Sequence, residues 1–153
     1  MKLHSLAEAV EVARPIMSDT TDEQSAGTLL LGIWAASHLT WVDVDIKKNE
    51  TSFALVKKDA DEARGKRMCT SGSIIQIAKQ ELGGLKVYSG LLMTYGQELI
   101  WFVAAGSTGS LVQRSQARFC GVVTGTYDYS NSGGGTGHAV AVVGMFDLAS
   151  NKK

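Results

Sequence analysis

Proline, cysteine and unbalanced charge are all scarce in this sequence. Pro15 is the single proline, so most chain reversals must be made by the 17 glycines and by small polar residues. Two cysteines, Cys69 and Cys120, are too few for a disulfide-dense scaffold. The three histidines, His4, His38 and His138, are scattered and match no zinc-ligand spacing. No metal and no cofactor is expected. Fifteen Lys/Arg offset fifteen Asp/Glu, and the pI is about 6.8. A strongly basic nucleic-acid binder or a membrane-surface protein would usually carry more positive charge. The longest apolar run, Leu29 to Ala36, is too short for a transmembrane segment. Near the start, Glu8 and Glu11 break up any apolar stretch of a signal peptide. Both a cytoplasmic location and a periplasmic or secreted one, reached after removal of a leader, stay open.

What is present points to one globular unit. A chain of 153 residues that is 44% hydrophobic can bury one sizeable core. Its charge is unevenly spread. Residues 1–65 hold seven Lys/Arg against eleven Asp/Glu, and residues 66–153 hold eight against four. An acidic front half and a basic back half attract each other modestly, as solvent screens exposed pairs.

The front half reads as helical. Leu3, Leu6, Val10 and Met17 recur along one face of residues 3–17, and Pro15 marks a kink or an end. A second helix is expected over 22–38, with Asp19, Thr20 or Thr21 as its cap and Asp22 and Glu23 at its positive end. Its apolar face includes Leu29, Leu30, Ile33 and Trp34, so Trp34 and Trp41 are read as packing residues. Residues 40–46 suit either a short strand or a helical extension. A third helix is expected over 51–64, capped by Thr51 or Ser52 and stopped at Gly65.

The back half changes character. Of the 17 glycines, 15 lie between residues 65 and 144. Five strand-like runs, about 67–78, 85–94, 98–105, 117–127 and 138–147, are separated by glycine-rich punctuation. Leu82-Gly83-Gly84 signals a hairpin, Tyr95-Gly96-Gln97 a second turn, 106–116 an irregular crossover or one helical turn, and 130–137 a loop. Gly72, Gly90, Gly121 and Gly144 fall inside strands, which suits a strongly bent sheet. Closing such a sheet removes its exposed edges.

Residues 65–77, Gly-Lys-Arg-Met-Cys-Thr-Ser-Gly-Ser-Ile-Ile-Gln-Ile, follow a short helix begun near Asp59 and lead into a first strand bent at Gly72. Ala117-Arg118-Phe119-Cys120-Gly121-Val122-Val123-Thr124-Gly125 has the look of a later strand, and Ala139 to Leu148 of the last one. This layout resembles bacterial OB-fold-like domains over about 85 residues. The resemblance implies an α+β fold: N-terminal helices (1–65) packed on a five-stranded OB-like antiparallel β-barrel (66–148), with a polar tail (149–153). It also implies that the first and fourth strands are neighbours. Cys69 and Cys120 then sit on adjacent strands, either as a disulfide or as two buried thiols.

No catalytic centre is legible, and an enzyme is the less favoured reading. Gly106-Ser-Thr-Gly-Ser lacks the Lys-Ser/Thr ending of a phosphate loop. The glycines at 133–137 lack a strand–turn–helix setting, and no Gly-x-Ser-x-Gly occurs. His138 and Asp128 lie on either side of the glycine loop, within reach of forming a polar site. The candidate binding surface comprises Tyr88, Arg118, Tyr127, Asp128, Tyr129 and His138. The expected role is a non-catalytic protein-binding or regulatory module, its partner another protein or a second copy. One alternative is single-stranded nucleic acid, held by Tyr88, Tyr95, Trp101, Tyr127 and Tyr129 beside Lys66, Arg67, Lys79, Lys86, Arg114 and Arg118. Another is small-molecule binding or a hydrolase.

Overall fold

The structure is a computed structural model that describes residues 3–21, 23–130 and 133–152. The Ser5 hydroxyl accepts from the Glu8 N–H at 3.2 Å and starts α1, Leu6–Ala13. Pro15 then tightens Arg14–Ile16 into a 3-10 turn, which ends the expected 3–17 helix early. The second helix, α2, covers Ala26–His38 and is capped by the Ser25 hydroxyl, which accepts from the Thr28 N–H at 3.0 Å. None of Asp19, Thr20 and Thr21 caps it, and Asp22 lies outside the described residues. Residues 40–46 resolve as helical: Thr40 and Asp43 form a reciprocal capping box on α3, Trp41–Val44. The expected helix over 51–64 is two short ones, α4 (Phe53–Lys58) and α5 (Ala60–Ala63), capped by Ser52 and Asp59. Asp59 has φ −154° and ψ 91°, outside helical space, and its side chain accepts from the Glu62 N–H instead.

Six strands form one mixed sheet. Thr20–Thr21 is β1, and the five long strands are β2 (Arg67–Leu82), β3 (Leu85–Thr94), β4 (Leu99–Ala104), β5 (Gln116–Ser130) and β6 (Thr136–Phe146). The hydrogen-bonded order is β1-β5-β2-β3-β4-β6, and β6 pairs back onto β5, so the five long strands form a ring. This corrects the five-stranded antiparallel expectation in two respects. Thr20 and Thr21 add a sixth strand, parallel to β5 at Tyr127 and Asp128. The pair β4–β6 is also parallel. Five strands in a ring cannot alternate direction all the way round, so one pair must run parallel.

Two long strands each serve two neighbours. The first part of β2 pairs with β5 from Arg67 to Ser73, and the later part pairs with β3 from Gly72 to Leu82. At the changeover a register shift between Ile74 and Gln76 switches the parity of the inward side chains. Met68 and Ile74 belong to the interior before it, and Ile77 packs there after it. The β2–β3 hairpin turns through Gly83 (φ 56°) and Gly84 (φ 82°), both in the left-handed region that glycine enters without strain. Gly121 and Gly144 face each other across β5 and β6, where a Cβ on Gly144 would lie 2.0 Å from the Cys120 carbonyl oxygen. The expected loop over 130–137 is shorter than its composition suggests, because Ser130 pairs with Thr136. Asn131 and Ser132 of that loop lie outside the described residues.

The two faces of the sheet bury two different cores. Inside the ring, Phe102, Phe119 and Phe146 meet with centroids 5.0–5.6 Å apart, and Val56 of α4 and Ala63 of α5 join them. Outside it, Leu6 and Ala9 of α1 and Leu31 and Trp34 of α2 cover Val87, Val103, Val143 and Met145. That is why both parities of β4 are apolar. Trp34 also donates from Nε1 to the Leu3 carbonyl at 3.0 Å. A buried Thr28–Thr124 hydroxyl contact of 2.6 Å ties α2 to β5. The segment read as a polar tail holds a 3-10 turn at Ala149–Asn151, and the Asn151 carboxamide bonds both N–H and C=O of Ser107. No helix among the described residues is long and apolar enough to cross a membrane.

Cys69 and Cys120 are register partners on β2 and β5 and are joined by a disulfide beneath Val44 of α3. The bond closes a loop with a sequence separation of 51. Restricting the unfolded chain to that loop is worth about 4 kcal/mol in the loop-entropy account. Cys69→Ala with Cys120→Ala is therefore expected to lower the urea-unfolding free energy by roughly that amount. A loss well under about 1 kcal/mol would contradict the clamp.

Asp19 anchors β1. It accepts from the Thr126 N–H at 3.0 Å and pairs with Arg64 at 2.8 Å. Burial works to raise its pKa, but the Thr126 hydrogen bond and Arg64 outweigh it, so the carboxyl sits below its ordinary 3.8. A group depressed on folding stabilises above its unfolded pKa and loses that effect as pH falls through its folded value. The stability difference between wild type and Asp19→Asn should thus be present at neutral pH and shrink in acid below pH 3.8. A pH-independent difference would count against this anchor.

Candidate functional site

An aromatic row runs along the outer face of β4 and β5. Trp101 has the opposite parity to Phe102 on β4 and so points away from the ring interior. Its ring lies 5.0 Å from that of Tyr127 on β5, which in turn stacks on Tyr129 at 6.2 Å. Tyr129 rests on Gly137 of β6; a Cβ there would lie 2.2 Å from the Tyr129 Cζ. Gly137 is thus the seat of that ring. Burial pushes the Tyr129 phenol above its ordinary pKa of 10.0.

The other candidate residues separate. Asp128 and His138 are direct partners across β5 and β6, with Asp128 Oδ1 2.8 Å from His138 Nδ1. They alternate with Tyr127 and Tyr129, so they project from the opposite face of the hairpin. The His138 side chain is 61% exposed, and the pair stands in solvent. Tyr88 packs against the ring-interior core. Arg118 lies near the start of β5, where it donates to Ser71 Oγ at 3.3 Å and pairs with Asp147 at 3.5 Å. The six residues therefore do not make one surface. Among the described residues, no three His, Cys, Asp or Glu side chains gather to hold a metal.

Two clefts flank the helices. One, about 910 Å³, lies between α1 and the start of β2, and two of its charged residues, Arg67 and Glu50, pair with each other. Arg67 bonds Glu50 at 2.9 Å and the Asp43 carbonyl at 3.2 Å, and it holds the Glu50 carboxyl below its usual range. The other, about 520 Å³, lies between the start of α2 and the outer sheet face, walled by Trp101 and Tyr127. Glu23, Gln24, Gln80 and Ser89 supply polar groups to its lining. Neither cleft is lined by Asp128 or His138. Tyr127 and Trp101 are among the aromatics that the sequence singles out, whereas Gln24, Gln80 and Ser89 come from separate elements and form no motif.

A third feature is a rim at the changeover of β2. The exposed apolar side chains Ile75, Met93, Tyr95 and Val112 lie around it, Tyr95 at 72% and Val112 at 61% exposure. Backbone bonds gather these segments: Tyr95 N–H donates to the Ser71 carbonyl, and Ile74 bonds Arg114 and Ser115. The Tyr95 hydroxyl donates to Gln116 Oε1 at 2.8 Å, and Gln116 donates to Ser73 Oγ at 2.6 Å, which orients the exposed ring.

Compared with known protein families, with curated proteins and with solved structures, the chain matches none of them. The geometry alone therefore carries the functional argument.

The aromatic row has a direct spectroscopic test. The difference between alkaline absorbance titrations of wild type and Tyr129→Phe should isolate a phenol ionising above 10.0. A phenol that ionises at or below that value would place Tyr129 in open solvent.

Proposed function

We propose that this chain is a non-catalytic protein-binding module built on an OB-like barrel, and that it holds its partner through the rim around Tyr95. The connectivity supports the barrel reading. Among the five long strands, the first pairs with the second and the fourth, the third runs parallel to the fifth, and the fourth closes on the fifth. A ring closed in this way is what the reading as a five-stranded Greek-key barrel of the OB class requires, and it supports that reading.

The observation that carries the binding reading is the rim itself. Four apolar side chains are exposed around the changeover of β2, Ile75 and Met93 on the strands and Tyr95 and Val112 in the connections beside them, and hydrogen bonds hold Tyr95 in place. Exposing such a group has a cost unless a partner covers it. A fixed aromatic gives large contact area with little entropy to lose on binding.

Nucleic acid fits this chain less well. OB barrels bind strands of it on the outer face of their second and third strands, and here α2 lies over Val87 and Val103 of those strands. Of the six basic residues weighed for that role, Lys66, Arg67 and Arg118 are each paired with a carboxylate. A hydrolase would need a nucleophile in a cleft beside His138 and Asp128, and that pair stands clear of both clefts.

A photo-crosslinking amino acid in place of Tyr95 is expected to give a discrete ultraviolet-dependent protein adduct in the host cell. The same group in place of the exposed Ser150 serves as control and should not. A mass of twice the chain identifies a second copy as the partner, and any other mass a different protein. Equal labelling at both positions, or none at Tyr95, would overturn the assignment of the rim.

A further inference from the structure

Closure of the ring leaves one stretch of strand edge open. β2 has β5 beside it from Arg67 to Ser73, and β3 on its other side from Gly72 to Leu82. On the β5 side, Ile74 still bonds Arg114 and Ser115. Beyond it, that side of β2 pairs with no other strand among the described residues. The two-residue turn, with Gly83 and Gly84 both at positive φ, sets Leu82 and Leu85 as a hydrogen-bonded pair. Alternation from there turns the N–H and C=O of Gln80 and Ala78 toward β3. Those of Ile77, Lys79 and Glu81 point the other way, along the open edge. Ala78, Lys79 and Glu81 are exposed, so the helices do not cover this stretch.

The side chains along the edge select its occupant. A strand edge is a template for another strand, and a lone lysine on it would deter pairing. Here Glu81 stands two residues from Lys79, on the same face of the strand. An edge with one charge of each sign at that spacing is complementary to its own two-fold image. With the axis beside Gln80, Lys79 lies opposite Glu81 of the second copy, and the two-fold repeats the pair. Both residues carry outward N–H and C=O groups, so they form a hydrogen-bonded pair. The neighbouring registers that keep the ladder set Lys79 opposite itself or Glu81 opposite itself, and like charges so placed destabilise a sheet. Within the hairpin, Glu81 already faces Lys86, and Lys79 faces Tyr88. The matched register therefore gives a row Lys86, Glu81, Lys79, Tyr88 across four strands, with its charges alternating in sign.

We infer that two copies of this chain join edge to edge through residues 77–83 of β2 and its turn, antiparallel about Gln80, into one continuous sheet. The backbone groups of Ile77, Lys79 and Glu81 supply the ladder, and the Lys79–Glu81 pairs fix its register. The edge and the Tyr95 rim involve different residues, so this assignment stands or falls separately from the rim reading.

The test is sedimentation equilibrium of the whole protein over a hundredfold range of concentration, which should show a monomer–dimer equilibrium. Lys79→Glu and Glu81→Lys each set like charges opposite one another at both ends of the junction. Each should weaken the dimer at least tenfold, with the circular dichroism spectrum unchanged. Mixed in equal amounts, the two variants should associate again, because two acidic side chains of one chain then face two basic ones of the other. Gln80→Cys should give a disulfide-linked dimer under mild oxidation, since a non-hydrogen-bonded pair on the axis is close enough to bridge. Ala78→Cys, which faces Leu82 of the second copy, should give it at least tenfold more slowly. The wild-type sedimentation and this pair of crosslinks decide the matter if a charge variant fails to fold. A monomer at every concentration would overturn the proposal. So would a dimer indifferent to both charge variants, no association in their mixture, or equal crosslinking at the two positions. A dimer lost in Tyr95→Ala and kept in Lys79→Glu belongs to the rim and overturns the assignment of the edge.

Discussion

β5 meets β1 and β2 along one edge and β6 along the other, and closure of the ring rests on those pairings. Where β2 departs toward β3, β1 takes over the edge of β5 and pairs with Tyr127 and Asp128. The disulfide, the Thr28–Thr124 contact and the Asp19–Thr126 hydrogen bond all end on this strand. Its inward residues, Phe119 and Val123, help fill the ring, while Cys120 and Val122 meet the outer layer. One strand thus couples the interior core, the helices and the aromatic row.

The parts legible in the sequence are those governed by local chemistry. The Gly83-Gly84 turn, the Ser52 cap and the alternation in Leu99–Ala104 act over a few residues, and each predicts the local feature found. Even the proximity of Cys69 and Cys120 followed once a strand order was assumed. The misreadings occur where a distant contact decides. Thr20 and Thr21 have the composition of a helix cap, but β5 offers them an open strand edge. Asp59 sits in a helical pattern, yet its carboxylate caps α5 and breaks the run. The parallel pairing of β4 and β6 is a property of an odd-membered ring, which no window of sequence contains.

The functional surface was less legible for the same reason. Tyr127, Tyr129, Asp128 and His138 are close in sequence or across one turn, which suggests one site. Strand alternation sends them to opposite faces. Tyr88 seemed exposed by composition and is instead packed on the interior core. Conversely, Gln24, Gln80, Ser89 and Trp101 come from a helix approach and three different strands. Only the docking of α2 on the sheet makes them neighbours.

The distance in sequence between α2 and its platform has a kinetic consequence. Leu31 and Trp34 are made more than 100 residues before Val143 and Met145, on which that layer rests. At about 5–20 residues per second, the helix waits on the order of 5–20 s for its platform. The long-range pairings of β5, such as Asp19 with Thr126 at a separation of 107, likewise form only late and make for slow folding. The nascent chain therefore passes through a stage in which a sticky apolar helix and unfinished strands are exposed together.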